Sequence, residues 1–171
     1  MIDEGRPYAG GPSVYPLRSG TQPRDPIADV RGPAHTLGMD ITLMQPHGLV
    51  VSPAFSHVAV VPPGATTIYV GGQNGVDDTG TLVSDDAAEQ SLRAVENARI
   101  ALDAVGAGLD DVISWTVLIH QEADLRAAYG AVASTLARDG APPLVTAALV
   151  AGLGVPGALI EVSAVAAVLR D

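Results

Sequence analysis

Eight consecutive residues, Val112 to Ile119 (VISWTVLI), run between the acidic pair Asp110-Asp111 and the polar His120-Gln121-Glu122. A continuous apolar run of that length, bounded by charge, reads as a buried strand. It needs neighbouring strands and cover, which limits the chain to folds in which helices shield a sheet. Helical patterns flank it on both sides. Before it, Leu92, Val95, Arg99 and Leu102 with Ala88 and Ala98 repeat at helical spacing. Ser84 is a candidate N-cap, Asp85, Asp86 and Glu89 suit the positive end of the dipole, and Gly106 stands where a C′ glycine ends a helix. After it, a second stripe runs from about Ala123 to Ala137, with Leu125, Ala128, Tyr129, Val132 and Leu136 on one side, until Gly140-Ala141-Pro142-Pro143 stops it. Strand-like runs fill the rest: Val50–Val61, Thr66–Gly72, Thr81–Val83, Leu144–Val150 and Leu159–Leu169. The order β-β-β-α-β-α-β-β predicts an α+β fold, a mixed sheet covered on one face by two helices.

The core of such a sheet must be aliphatic, because apolar residues make up 47% of the 171 but aromatics only 4%. The chain has no Cys, which excludes disulfides, thiolate nucleophiles and cysteine-ligated metals. All nine basic residues are Arg, so Schiff-base lysines and a P-loop lysine are excluded too. A net charge of -10 opposes binding to nucleic acid or to an anionic membrane. The N-terminal MIDEGRPYAGGP lacks an apolar targeting core and no run suffices to span a bilayer, so a soluble, cytoplasmic protein is expected. The first 40 residues hold six Pro and six Gly without apolar periodicity. They predict an N-terminal extension over residues 1–46 ahead of a folded domain over 47–171.

Common site patterns are missing. His35, His47, His57 and His120 form no H-x-x-x-H pair and have no carboxylate at ligand spacing, so neither a metal nor a cofactor is expected. Gly71-Gly72-Gln73-Asn74-Gly75 lacks both the G-x-G-x-x-G spacing and a following helix that would cradle phosphate. No G-x-S-x-G nucleophile elbow occurs.

A longer pattern is more specific. Ile68-Tyr69-Val70-Gly71-Gly72-Gln73 and Thr79-Gly80-Thr81-Leu82-Val83 are followed by Glu89-Gln90, Asn97-Ala98, Ala101-Leu102, Gly106-Ala107-Gly108-Leu109-Asp110-Asp111-Val112 and Thr116-Val117-Leu118-Ile119. Tyr129, Pro143 and Leu159-Ile160-Glu161-Val162 with Ala164 and Ala166 complete the order. Over residues 49 to 169 this resembles the Rid (reactive intermediate deaminase, YjgF) family. The resemblance implies a chorismate-mutase-like α+β fold and a homotrimer with ligand clefts between subunits. It also implies hydrolysis of reactive enamines and imines to a ketone and ammonia.

The implied site falls on particular residues. Glu161 matches the glutamate that positions the attacking water, although a carboxylate at a sheet end is also an ordinary surface group. Ser56 matches a serine of the first strand loop, whose usual tyrosine neighbour is Phe55 here. Gly72 and Gln73 would orient the ligand, and Tyr129 falls near a site position while also lying on the apolar helix stripe. In the family's P-A-R motif an arginine holds the substrate carboxylate, but this chain reads Pro142-Pro143-Leu144-Val145-Thr146 there. The arginine position falls on Val145, or on Leu144 with a shift of one, and the Arg nearest in sequence is Arg138. An apolar wall of Phe55, Leu144 and Val145 is therefore expected beside Glu161. His57 and His120 fit no role that the pattern specifies.

These residues support a divergent enzyme acting on a small imine, enamine or related carbonyl metabolite, with Glu161 as acid–base group. The rival reading is a non-catalytic trimer that binds a small molecule or a protein partner. The family's occasional endoribonuclease label conflicts with the acidic charge and the absence of lysine.

Overall fold

The computed structural model describes residues 39–136, 138 and 140–170. Most of the extension predicted over 1–46 lies outside the described residues. Along the chain run β1 (Thr42–Met44), β2 (Val58–Val60), β3 (Thr66–Asn74), α1 (Ala87–Asp103), β4 (Val112–His120), α2 (Leu125–Leu136), β5 (Leu144–Val150) and β6 (Ile160–Val168).

The apolar run becomes β4, an inner strand of a four-stranded sheet ordered β3-β6-β4-β5. β6 pairs antiparallel to both β3 and β4, whereas β4 and β5 are parallel. Parallel neighbours need a crossover, and α2 supplies it between β4 and β5. α1 likewise links β3 to β4 across the intervening β6, a split β-α-β arrangement. Both helices cover one face, as the element order predicts.

Local chemistry explains the differences from the expected boundaries. α1 is capped by Asp86 rather than Ser84. The Asp86 Oδ1 accepts from the Glu89 amide at 3.0 Å, while Ser84 sits in the preceding turn with its Oγ accepting from the Asp86 amide. The expected strand Thr81–Val83 shrinks to a single bridge between Val76 and Leu82. Asp77 winds this segment into a loop, its Oδ1 accepting from the amides of Thr79 and Thr81 and from the Thr79 hydroxyl. The run Val50–Val61 contracts to β2, because Val50 and Val51 are exposed and no strand among the described residues pairs with them. β1, the antiparallel partner of β2, falls inside the stretch read as extension.

The core lies between helices and sheet. Ala94, Ala98 and Leu102 of α1 are fully buried against Val112 and Ala166. Small side chains let α1 approach closely, and a Cβ on Gly75 would meet the Gln90 Cα at 2.6 Å. Gln90 is also fully buried, and its polar atoms are all used. Its Nε2 donates to the carbonyls of Ser84 and Gly157, and its Oε1 accepts from the Leu159 amide at 2.7 Å. One amide thus ties the start of α1 to the entry of β6.

β6 shows how the faces divide. Ile160, Val162, Ala164 and Ala166 point into the core, so Glu161, Ser163 and Val165 lie on the face without helices. On β4, Trp115, Val117 and Ile119 join the core side, leaving Thr116 and Leu118 on the open face. Tyr69 of β3 is 79% exposed there. No helix among the described residues is long and apolar enough to cross a membrane.

Candidate functional site

The open face carries the carboxylate. β3 and β6 pair in register from Thr66 opposite Val168 to Val70 opposite Ala164, then resume at Gln73 opposite Val162. Gly71 and Gly72 therefore face Ser163 alone, a β-bulge. The bulge sets which residue stands beside Glu161. That neighbour is Asn74, its direct register partner. The Asn74 Nδ2 donates to the Ile160 carbonyl at 2.9 Å and reaches the Glu161 Oε2 at 3.5 Å. Across the other edge of β6, Leu118 is the partner of Glu161. Gly72 leaves room for the carboxylate as it lies: a Cβ there would stand 2.7 Å from the Glu161 Cδ. The end of β3 is held from α1, where the Asn97 Nδ2 donates to the carbonyls of Asn74 and Val76 at 3.0 and 2.9 Å. The result is a partly exposed carboxylate lying across bare backbone, with an amide beside it. Such a group can accept a proton from water and orient it.

The other residues expected at the site do not all gather here. Gln73 pairs with Val162 and so belongs to the helix side, with its Nε2 donating to the Gly71 carbonyl. Val145, opposite Trp115, also faces the helices. Within one chain, the apolar wall expected beside Glu161 is therefore not formed by Val145. Leu144 is on the open face, but its register partner Ser114 lies four residues along β4 from Leu118, about 13 Å at the usual strand rise. Ser56 sits with Leu144 in a parallel bridge, its amide donating to the Pro143 carbonyl at 3.0 Å. Ser56 is 3% exposed, and its Oγ has no hydrogen-bond partner among the described residues. Phe55 packs edge-on against the His57 ring at 5.4 Å. The open face thus holds two groups at opposite ends: Glu161 with Gly72 and Asn74, and Ser56 with Leu144.

Val145 and Tyr129 instead line a cavity of about 500 Å³ on the helix side, between α2 and the β4–β5 half of the sheet. α2 packs on α1 and stands off the strands beneath it. Arg138 closes one end, but it is not a free anion anchor. Its Nε and Nη2 both donate to the Ala141 carbonyl, and its Nη1 donates to the carbonyls of Asp110 and Val112. Burial lowers its pKa, opposed by the nearby Asp110. The two unassigned histidines tie loops. His57 Nε2 lies 2.8 Å from the Val50 carbonyl and His120 Nε2 lies 3.1 Å from that of Ala151.

Sequence reasoning missed Asn74 at the carboxylate. It stood in view in the Gly71–Gly75 stretch, but only the bulge register shows that it, rather than Gln73, faces Glu161.

A four-stranded mixed sheet with both helices on one face and a carboxylate above a glycine bulge on the other defines a chorismate-mutase-like α+β protein. The comparisons name the family within that class. The family model described as Endoribonuclease L-PSP matches residues 49–168, and the chain belongs to this family, the Rid/YjgF proteins. A RutC family protein of Pyrococcus abyssi is 42% identical over 53 residues, 30% of this chain. That match spans only 42% of the relative's own length. Among solved structures, YyfB of Yersinia pestis, a Rid family protein of unknown function, superposes with a TM-score of 0.60 at 22% identity, covering 76% of this chain and all of that one. E. coli TdcF with bound serine gives a TM-score of 0.54 at 25% identity, covering 65% of this chain and 85% of that one.

Proposed function

We propose that the chain is a divergent imine or enamine hydrolase whose clefts form between the subunits of a homotrimer in the cytoplasm. The observation that carries the reading is the Glu161 carboxylate lying over Gly72 on the open sheet face. There it takes a proton from water as the oxygen adds to the C=N carbon. It then returns that proton to nitrogen and, as the carbinolamine C–N bond breaks, takes up the hydroxyl proton and passes it to the departing nitrogen, leaving a carbonyl compound and ammonia. The half-sites of one chain, about 13 Å apart along the sheet, fit a cleft completed by a neighbouring copy. The serine held by TdcF supports a ligand of small-metabolite size.

Substrate preference follows from β5. Neither Leu144 nor Val145 can pair with a carboxylate, and the donors of Arg138 are engaged by carbonyls. The preferred substrate is thus uncharged. A net charge of -10 also weighs against an RNA substrate. The same tethering of Arg138 favours, as the second reading, a trimer that binds a small molecule without turning it over.

Ammonia release from two imines generated in situ separates these readings. One is uncharged, made from benzylamine by an amine oxidase; the other is 2-iminopropanoate, made by an amino-acid oxidase. Loss of a charge-assisted pair is worth about 1.5–3 kcal/mol, so hydrolysis of the anionic imine is expected to be roughly tenfold to over a hundredfold less efficient. Preference for 2-iminopropanoate contradicts the assignment, and acceleration of neither imine supports the binding reading.

A further inference from the structure

We infer that the cavity between α2 and the sheet is a second small-molecule site, separate from the Glu161 face, and that it takes an uncharged alicyclic or aromatic molecule. Its size is the first observation. Protein interiors are close-packed with few voids larger than a water molecule, whereas about 500 Å³ falls within the range of small-ligand pockets.

Its walls explain both its existence and its selectivity. Ala128 and Ala133 of α2 face Ala147 of β5, so small side chains leave the space, and Trp115 and Val117 form the floor. Most of the hydrogen-bonding capacity at its edge is already used, four of the five Arg138 N–H donors included. The Ser91 Oγ donates to the Ala87 carbonyl, and the Arg138 donors go to backbone carbonyls. A charged ligand would lose most of its water and find only the Tyr129 hydroxyl and one Arg138 N–H in return. An apolar one would cover aliphatic and aromatic wall without breaking a hydrogen bond. Tyr129, 64% exposed yet lining the cavity, gives it an opening to solvent. Two helices, the sheet, and the loops at Pro53 and Pro142 enclose the space, which suits a compact molecule better than a peptide segment.

Trp115 is the only Trp of the chain and reports directly on this space. Full-length protein is titrated with cyclohexanol and, for charge, with cyclohexanecarboxylate, following Trp115 emission and the melting temperature. Saturable emission change and a raised Tm with cyclohexanol, and neither with the carboxylate, are expected. Ala147→Leu and Ala128→Leu fill the cavity from opposite walls, and each is expected to weaken cyclohexanol binding at least tenfold. Glu161→Gln, on the other face, should bind it as the unaltered chain does, which keeps this site's test independent of the proposed hydrolysis. Three results overturn the inference: no saturable response in the unaltered chain, an equal response to both probes, or undiminished binding in the filled variants. Should one filled variant fail to fold, the other and the unaltered chain still decide.

Discussion

Glu161 and Gly72 work as a pair, because the carboxylate occupies the space that any side chain at 72 would take. If Glu161 moves the proton, Glu161→Gln keeps the shape and most hydrogen bonds but removes the base. Turnover should fall about 10²–10⁴-fold while the melting temperature hardly changes. A clear drop in stability with activity intact would instead identify Glu161 as a structural acceptor. Gly72→Ala pushes a methyl into the carboxylate, which must swing aside, so turnover should fall roughly tenfold or more while stability in urea titration drops by less than about 1 kcal/mol. Gly71→Ala, where a Cβ meets nothing within 4 Å, is the matched control and should be close to neutral in both measurements. Glu161 was reached through its match to the family pattern at Leu159-Ile160-Glu161-Val162. Asn74 was not, since a bulge changes which residues share a face and leaves no mark in composition.

Elements with strong local chemistry were read closely. β5 runs over Leu144–Val150 as expected, set off by Pro142-Pro143 before it and Gly152 after it. Elements that depend on partners were read less well. Val50 and Val51 have strand chemistry without a strand to join, and the start of α1 fell to Asp86 when two good cap residues stood two positions apart. The Asp77 loop shows the same competition, a side chain outbidding a ladder for backbone amides. It also carries a pH dependence. The Thr79 hydroxyl, then the Thr81 amide, hold the Asp77 pKa below its ordinary value of 3.8. A lowered carboxylate pKa favours the folded loop in full above that ordinary value. The contribution is lost as pH falls and Asp77 takes up its proton in the loop. Protection of the Thr79 and Thr81 amides, their exchange relative to the intrinsic rate at each pH, should therefore hold near neutrality and fall once the pH drops below 3.8. Protection unchanged across that range would show that Asp77 does not hold the loop.

At the scale of the whole molecule, the strand register that builds the sheet also separates what the proposed chemistry needs together. Ser56 and Leu144 stand at one end of the open face, with Glu161, Gly72 and Asn74 at the other. The face between them carries Thr116, Ser163 and Leu118, with no helix of the described residues above it, as the proposed contact with another copy requires. Subunit complementation tests this most directly. Glu161→Gln damages one end, and Leu144→Glu places a charge at the other, so each variant alone should be nearly inactive on the uncharged imine. Co-assembled from a mixture, some clefts would combine an unaltered Glu161 from one subunit with an unaltered Leu144 from its neighbour. Recovery of hydrolysis in the mixture, well above either variant alone, is the expected result. A mixed assembly no more active than its parents, formed from variants that each fold and associate, would contradict a cleft shared between subunits.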